Sequence, residues 1–413
     1  MADNGEQGCG GVDGVRSESE PLIPPPYLLF RQGRQPQNAG GWSVCSRLIL
    51  PVFKVVFCSL GLWGHQKWNY IPRVLFVMSC LTQAGYQISV DWGCPYFDCS
   101  YFNKTHHNKT EEFPKTRRMC FTMFSLAAFF SYSIFLVCLT ASRSTVSSMM
   151  SPCKSMADVV DRKEITLLFF IFIIIMASFL SGMVLLFSVQ LKSNDIQDNL
   201  KSAYAVIAAA VVLTHWASFN TCHVFAISSL SLGTFAEDCV RLIRDLDDGN
   251  LDDVIRIHEN LCTVVSDTVS ACSVWFVLHW FTFGAGMVVD VILISKEIMT
   301  DRDSNPTPAD TPATFKISLY LILVGVLYLF TLPCFYAARI TSKCNGIYER
   351  INCTTSNDWK EGHTFRDRRN IALFVSYAKD TGCGFKVGRI TFNTSLAWLS
   401  FFFALTALLF HFF

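Results

Sequence analysis

Seven apolar runs, near 71–91, 119–142, 164–190, 201–232, 266–295, 316–340 and 390–413, are each about long enough to cross a bilayer as a helix. An eighth run, LILPVFKVVFCSLGLWG at 48–64, is shorter and is interrupted by Pro51 and Lys54, so it reads as a re-entrant or interfacial segment. The fourth and fifth runs exceed what a bilayer needs, and their helices are expected to tilt or to continue into the cytosol. No repeat of fixed period is visible. The pattern predicts an all-α membrane protein with seven transmembrane helices. Its parts would be a disordered cytosolic N-terminal region at 1–47, the re-entrant segment at 48–64 and a six-span bundle at 65–340. A cytosolic anchor region at 341–389 and a seventh span at 390–413 would follow.

Composition agrees with this pattern. Of 413 residues, 51% are hydrophobic and 16% charged, with 36 Phe, a balance too apolar for a soluble domain of this length. A formal net charge of +1 leaves no electrostatic footprint for a nucleic acid. Residues 1–47 lack the apolar run and cleavage site of a secretory signal peptide, so the first span is expected to act as the signal. With the N-terminus placed in the cytosol, 23 Lys and Arg fall on inner segments and 9 on outer loops, and the positive-inside rule favours that placement. An odd number of spans then puts the C-terminus outside. Asn103 and Asn108, each followed by Lys-Thr, lie in the first outer loop and are candidates for glycosylation. Asn352-Cys-Thr would be cytosolic and Asn393-Thr-Ser would sit at a membrane edge, so neither is expected to carry a glycan.

This polarity is opposite to that of a G-protein-coupled receptor. The third span also lacks an Asp/Glu-Arg-Tyr-like end, and the seventh lacks Asn-Pro-x-x-Tyr. Seven spans with the N-terminus inside, LPVFKVVFCSLGLWG before the first, and a seventh span at the end of the chain resemble the insect gustatory receptors and their gustatory receptor-like relatives. The stretch CVRLIRDLDDGNLDDVIRIHENLCTVVSDTVSACSVWF resembles that family's inner extension of the fourth span and the helix leading into the fifth. FTLPCFYAARITSKCNGIYERI resembles the segment that follows the sixth. The family's seventh-span motif is Thr-Tyr, five apolar residues, then Gln-Phe. Here the aligned positions read Ala404, Leu405, TALLF, His411 and Phe412, which keeps the spacing and the Phe and departs at three of the four named positions. The resemblance implies a homotetrameric ligand-gated cation channel in the plasma membrane, with seventh helices around a central pore and an inner anchor between subunits. A non-conducting receptor or scaffold of the same fold is the alternative.

The last span carries Asn393, Ala397, Ser400, Ala404, Ala407 and His411 at steps of 4, 3, 4, 3 and 4, on one stripe of the helix. Trp398, Leu399, Phe401, Phe402, Phe403, Leu408, Leu409 and Phe410 occupy the other faces. A small and polar stripe in bulky apolar surroundings faces water or a closely packed helix. In the first case these residues, with Phe412, line a pore; in the second they form a packing seam. A protonated His411 at an outer mouth would oppose cation entry, whereas a histidine that simply reaches outer water would not.

A small-molecule ligand needs a few polar groups among aromatics. The outer halves of the spans offer Gln83, Tyr86, Gln87, Tyr204, His215, Trp216, His279, Trp280, Asp290 and Tyr320. For each of them, a membrane-interface aromatic or a helix-to-helix hydrogen bond is the plainer reading. Most of the 17 cysteines fall in apolar or cytosolic stretches and are expected to be free, buried thiols. Cys94 and Cys99, in the loop with the sequons, are the disulfide candidates; with His106 and His107 they also suggest zinc, which irregular spacing in an oxidising compartment disfavours. DLDDGNLDD at 245–253 is acidic like a calcium loop, but aligning Gly249 puts Arg244 where the first acidic ligand belongs. Metalloprotease, nucleophile-elbow and phosphate-loop motifs are lacking, as are the paired membrane carboxylates of a proton-coupled carrier. Neither an enzyme nor a cofactor is expected.

Overall fold

A computed structural model of the chain describes residues 70–91, 126–138, 162–192, 198–244, 251–303, 313–352 and 368–409. The re-entrant segment, the sequons at Asn103 and Asn108, the Cys94 and Cys99 pair, His411 and Phe412 lie outside the described residues. The described chain is helical: α1 Tyr70–Asp91, α2 Leu126–Cys138, α3 Arg162–Lys192, α4 Asp198–Arg244, α5 Leu251–Asp303, α6 Ala313–Asn352, α7 Arg368–Thr381 and α8 Thr394–Leu409. A two-stranded antiparallel hairpin joins α7 to α8, with β1 Lys386–Val387 paired to β2 Ile390–Thr391.

Six helices coincide with predicted spans at their cores, and the seventh predicted span begins later than expected. Glu164–Leu185, Leu251–Val288 and Tyr320–Ile351 are long and apolar enough to cross a membrane, and Ile71–Thr82, Leu126–Cys138 and Thr394–Thr406 are shorter apolar helices. α4 and α5 run for 47 and 53 residues, so both continue well past the bilayer, as their excess length predicted. α8 starts at Thr394 because Asn393 caps it: the Asn393 side-chain oxygen accepts a hydrogen bond from the Leu396 N–H at 2.9 Å. α7 has no counterpart in the predicted elements. Its buried Ile371, Phe374 and Ala378 share one face, and the polar remainder keeps the segment out of lipid.

α6 is the hub, packed against α3, α4, α5, α7 and α8. Lipid tails are as apolar as the side chains, so close packing rather than burial from water holds such helices together. The approach of α3 to α6 depends on Gly182, where a Cβ would lie 2.8 Å from Leu321 Cβ and 2.9 Å from the Ser318 carbonyl. On its far side α3 exposes Leu167, Phe170, Ile173, Ile174 and Val184, a surface suited to lipid. α4 is the opposite case, with residues from Thr214 to Ile227 almost all buried although the sequence there is rich in Ser, Thr, Asn and His.

One end of the bundle is tied by charge. Arg339 on α6 donates from Nη2 to both carboxylate oxygens of Glu164 on α3, at 2.6 and 2.5 Å. Lys343 and Arg350 of α6 pair with Glu237 of α4, and Tyr377 of α7 donates to Glu259 of α5 at 3.1 Å. The hairpin is anchored at the same end. Gly384, at φ 151°, brings the backbone against Thr341, whose hydroxyl accepts the Phe385 N–H at 3.0 Å. Phe385 then fills an aromatic nest of Phe225, Phe276 and Phe392. The nine cysteines among the described residues are free, seven buried and two half-buried, in line with the expectation of unpaired thiols.

Candidate functional site

Three histidines occupy the interior where α4, α5 and α6 meet. His223, fully buried on α4, donates from Nδ1 to the Phe219 carbonyl at 2.7 Å and accepts the Tyr328 hydroxyl on Nε2 at 2.9 Å. His215, two turns earlier, donates from Nδ1 to the Val211 carbonyl at 2.8 Å and lies 5.1 Å from the Phe179 ring. His279 on α5 is fully buried as well. Its Nε2 donates to the Leu329 carbonyl at 2.9 Å, so Nδ1 is the acceptor, 2.7 Å from Ser131 Oγ. Trp275 Nε1 in turn donates to Ser131 Oγ at 3.2 Å, which fixes the direction of the whole chain. These bonds satisfy polar groups that would otherwise be orphaned in hydrocarbon.

The predicted pocket residues are therefore divided. His215 and His279 are brought into one interior, but their bonded ring nitrogens are held by protein partners rather than turned to an opening. Trp216 packs on Phe172 at 6.2 Å. Trp280 faces away from His279, stacking over Phe330 at 6.4 Å and meeting Phe392 edge-on at 6.1 Å. Its indole Nε1 is buried without a hydrogen-bond partner, one of three such side-chain atoms among the described residues, with Ser133 Oγ and Arg339 Nε. Tyr320 is half-buried on α6. Gln83, Tyr86 and Gln87 lie on α1, Tyr204 on α4 and Asp290 on α5, with side chains outside the description. Sequence reasoning missed His223, Tyr328 and Ser131. A mid-span histidine and a tyrosine one helix away were the available signal, but only the fold shows that they meet.

The stripe on α8 calls for correction. Ala397 and Ala404 are fully buried and Ser400 is 5% exposed, so these three face the interior of this chain's own bundle rather than a lumen. Ser400 donates to the Leu396 carbonyl at 3.0 Å and sits beside the Cys334 thiol of α6. Small residues there let α8 close on α6, while Phe335 of α6 packs on Trp398 and Phe401 at 5.4 and 6.2 Å. Asn393 is exposed and serves as the helix cap, and Ala407 lies near the end of α8 with its side chain outside the description. The uncovered face of α8 is instead Ser395, Leu399, Phe402 and Thr406, again at steps of 4, 3 and 4, flanked by Trp398 and Phe403.

The architecture places the chain among all-helical, multi-pass membrane proteins with a seven-span fold. No protein-family model matches it, and no curated protein does either. Among the solved structures that share its fold are two of the insect olfactory receptor OR5 from Machilis hrabei. One aligns with a TM-score of 0.59 at 11% identity over 89% of this chain and 98% of the receptor. The other, in complex with eugenol, aligns with a TM-score of 0.58 at 11% identity over 90% of this chain and 99% of the receptor. The likeness is one of fold, and it agrees with the chemoreceptor resemblance read from the order of segments.

Proposed function

We propose that the protein is a gustatory receptor-like, ligand-gated, non-selective cation channel of the plasma membrane, built from four copies and not an enzyme. The observation that carries this reading is the end-to-end match to an olfactory receptor, one structure of which holds a small molecule. In this reading the end tied by Glu164, Glu237, Arg339 and Lys343 is cytosolic, and α7 with its hairpin forms the inner anchor between subunits. The uncovered face of α8 meets the other copies and their axis. Leu399 and Phe402 would then form an apolar constriction that closes by excluding water, with Ser395 and Thr406 at its edges. The ligand reaches the interior beside α5, where the unpartnered Trp280 Nε1 offers a hydrogen-bond donor among aromatic rings.

The native mass of the purified protein in lipid, read together with current from cells that display it, tests the proposal. Four subunits and a ligand-evoked cation current are expected. Leu399→Ala should leave surface expression intact and raise current without ligand, because a smaller apolar ring admits water more readily. A monomer at every concentration removes the pore, since one α8 cannot enclose a lumen. A non-conducting receptor of the same fold is the second reading, favoured by the departures at Ala404, Leu405 and His411 from the seventh-span motif. It becomes the better one if the tetramer forms and no stimulus yields current.

A further inference from the structure

Pro333 lies inside α6 and the helix runs through it. Proline has no N–H, so the Leu329 carbonyl one turn earlier loses its usual helical donor. In hydrocarbon that carbonyl needs a replacement. His279 supplies it from a different helix, with Nε2–H at 2.9 Å, and Ser131 and Trp275 hold the ring in the tautomer and orientation that make the donation possible. The residues just past the break attach α6 to the rest of the molecule. Cys334 meets Ser400, Phe335 meets Trp398 and Phe401, and Arg339 grips Glu164. We propose that His279 is the latch of a hinge at Pro333: while its bond to the Leu329 carbonyl holds, the part of α6 that follows Pro333 and the attached α8 stay docked, and release lets them swing together. The inference stands on these contacts alone and holds for a conducting and a non-conducting protein alike.

Amide hydrogen exchange on the purified full chain in lipid nanodiscs, followed in peptides covering 334–340, tests it. His279→Phe keeps the ring and removes the donor, and should speed exchange there by about threefold to tenfold, the worth of one such bond. Pro333→Ala restores a backbone N–H to the Leu329 carbonyl and makes the latch redundant. In that background His279→Phe should change exchange by less than about twofold, a coupling expected only of groups that share a partner. Tyr328→Phe breaks the neighbouring bond to His223 and should have the same effect in both backgrounds. Equal losses from His279→Phe with and without Pro333 overturn the latch and leave His279 a packing residue. Should His279→Phe not fold, recovery of folded protein by adding Pro333→Ala supports the proposal, and failure to recover when Pro333→Ala alone folds overturns it. Should Pro333→Ala itself fail, His279→Gln, which keeps an N–H, must retain the protection that His279→Phe loses; equal loss again overturns the latch.

Discussion

The interior of α4, α5 and α6 and the last helix α8 use polar and small residues in opposite ways. In the interior, histidines, serines and a tyrosine are matched to one another or to backbone carbonyls, so polarity in the sequence becomes a set of directed bonds. On α8 the alanines of the stripe are absent bulk and Ser400 reaches only the Leu396 carbonyl and the Cys334 thiol, so the stripe lets the helix lie against α6. The face left open on α8 is the bulky one. A polar residue in a membrane helix is thus a poor pointer to water unless its partner is known, because both a bond and a seam satisfy it more cheaply than a lumen does.

That contrast breaks most visibly on α8. Ala397→Trp has no space between α8 and α6 and should destabilise the fold by about 3 kcal/mol or more, whereas Leu399→Trp, on the uncovered face, should leave the folded yield unchanged. Thermal unfolding followed by size-exclusion chromatography distinguishes them; equal losses would mean that the two faces are not different. Gly182→Val probes the same kind of closeness between α3 and α6 and should cost about 1–3 kcal/mol, since the Leu321 side chain and Ser318 carbonyl must give way. Tyr328→Phe tests the bonded interior. Losing its donation to His223 Nε2 should cost about 1 kcal/mol, and His223→Phe should show the same bond missing by being non-additive with it.

The smallest effect belongs to the charged end. Burial pushes the Glu237 carboxyl up, but the hydrogen bond and charge of Lys343, with the charges of Arg350 and Arg241, outweigh it and hold the group below its usual range. A lowered value means stability that is present at neutral pH and fades as the pH falls through that lowered value. Glu237→Gln should remove this acid sensitivity while changing stability at neutral pH by less than about 1 kcal/mol, as half-exposed ion pairs do. Unfolding midpoints of the parent and the variant across an acid series measure it. A functional counterpart is His411→Gln, which in the pore reading removes an inhibition that develops as external pH falls through about 6.5. Protonation there adds positive charge in the path of cations, so conductance should drop in acid for the parent alone.

Much of the fold was legible because a bilayer imposes a length and a hydropathy on each crossing helix, independent of its neighbours. The run at 164–190 became α3 almost as drawn, the run at 316–340 became the core of an α6 that continues to Asn352, and the surplus length of the fourth and fifth runs reappeared as helix beyond the membrane. α7 and the hairpin were not legible as elements. α7 is a short amphipathic helix whose apolar face is meaningful only against α5 and α6, and the hairpin is held by Thr341, 44 residues from its partner amide.

The site divides along the same line. The amino-acid sequence by itself determined where polar atoms enter hydrocarbon and that one stripe of the last span is small, because composition and helical period are local quantities. It left open what each of these faces. Whether His279 meets a ligand or the Leu329 carbonyl, and whether Ala397 and Ala404 meet water or α6, depends on which helices become neighbours and at what rotation. Those neighbours come from segments 50 or more residues away, and the close packing that selects them exists only once the bundle has formed.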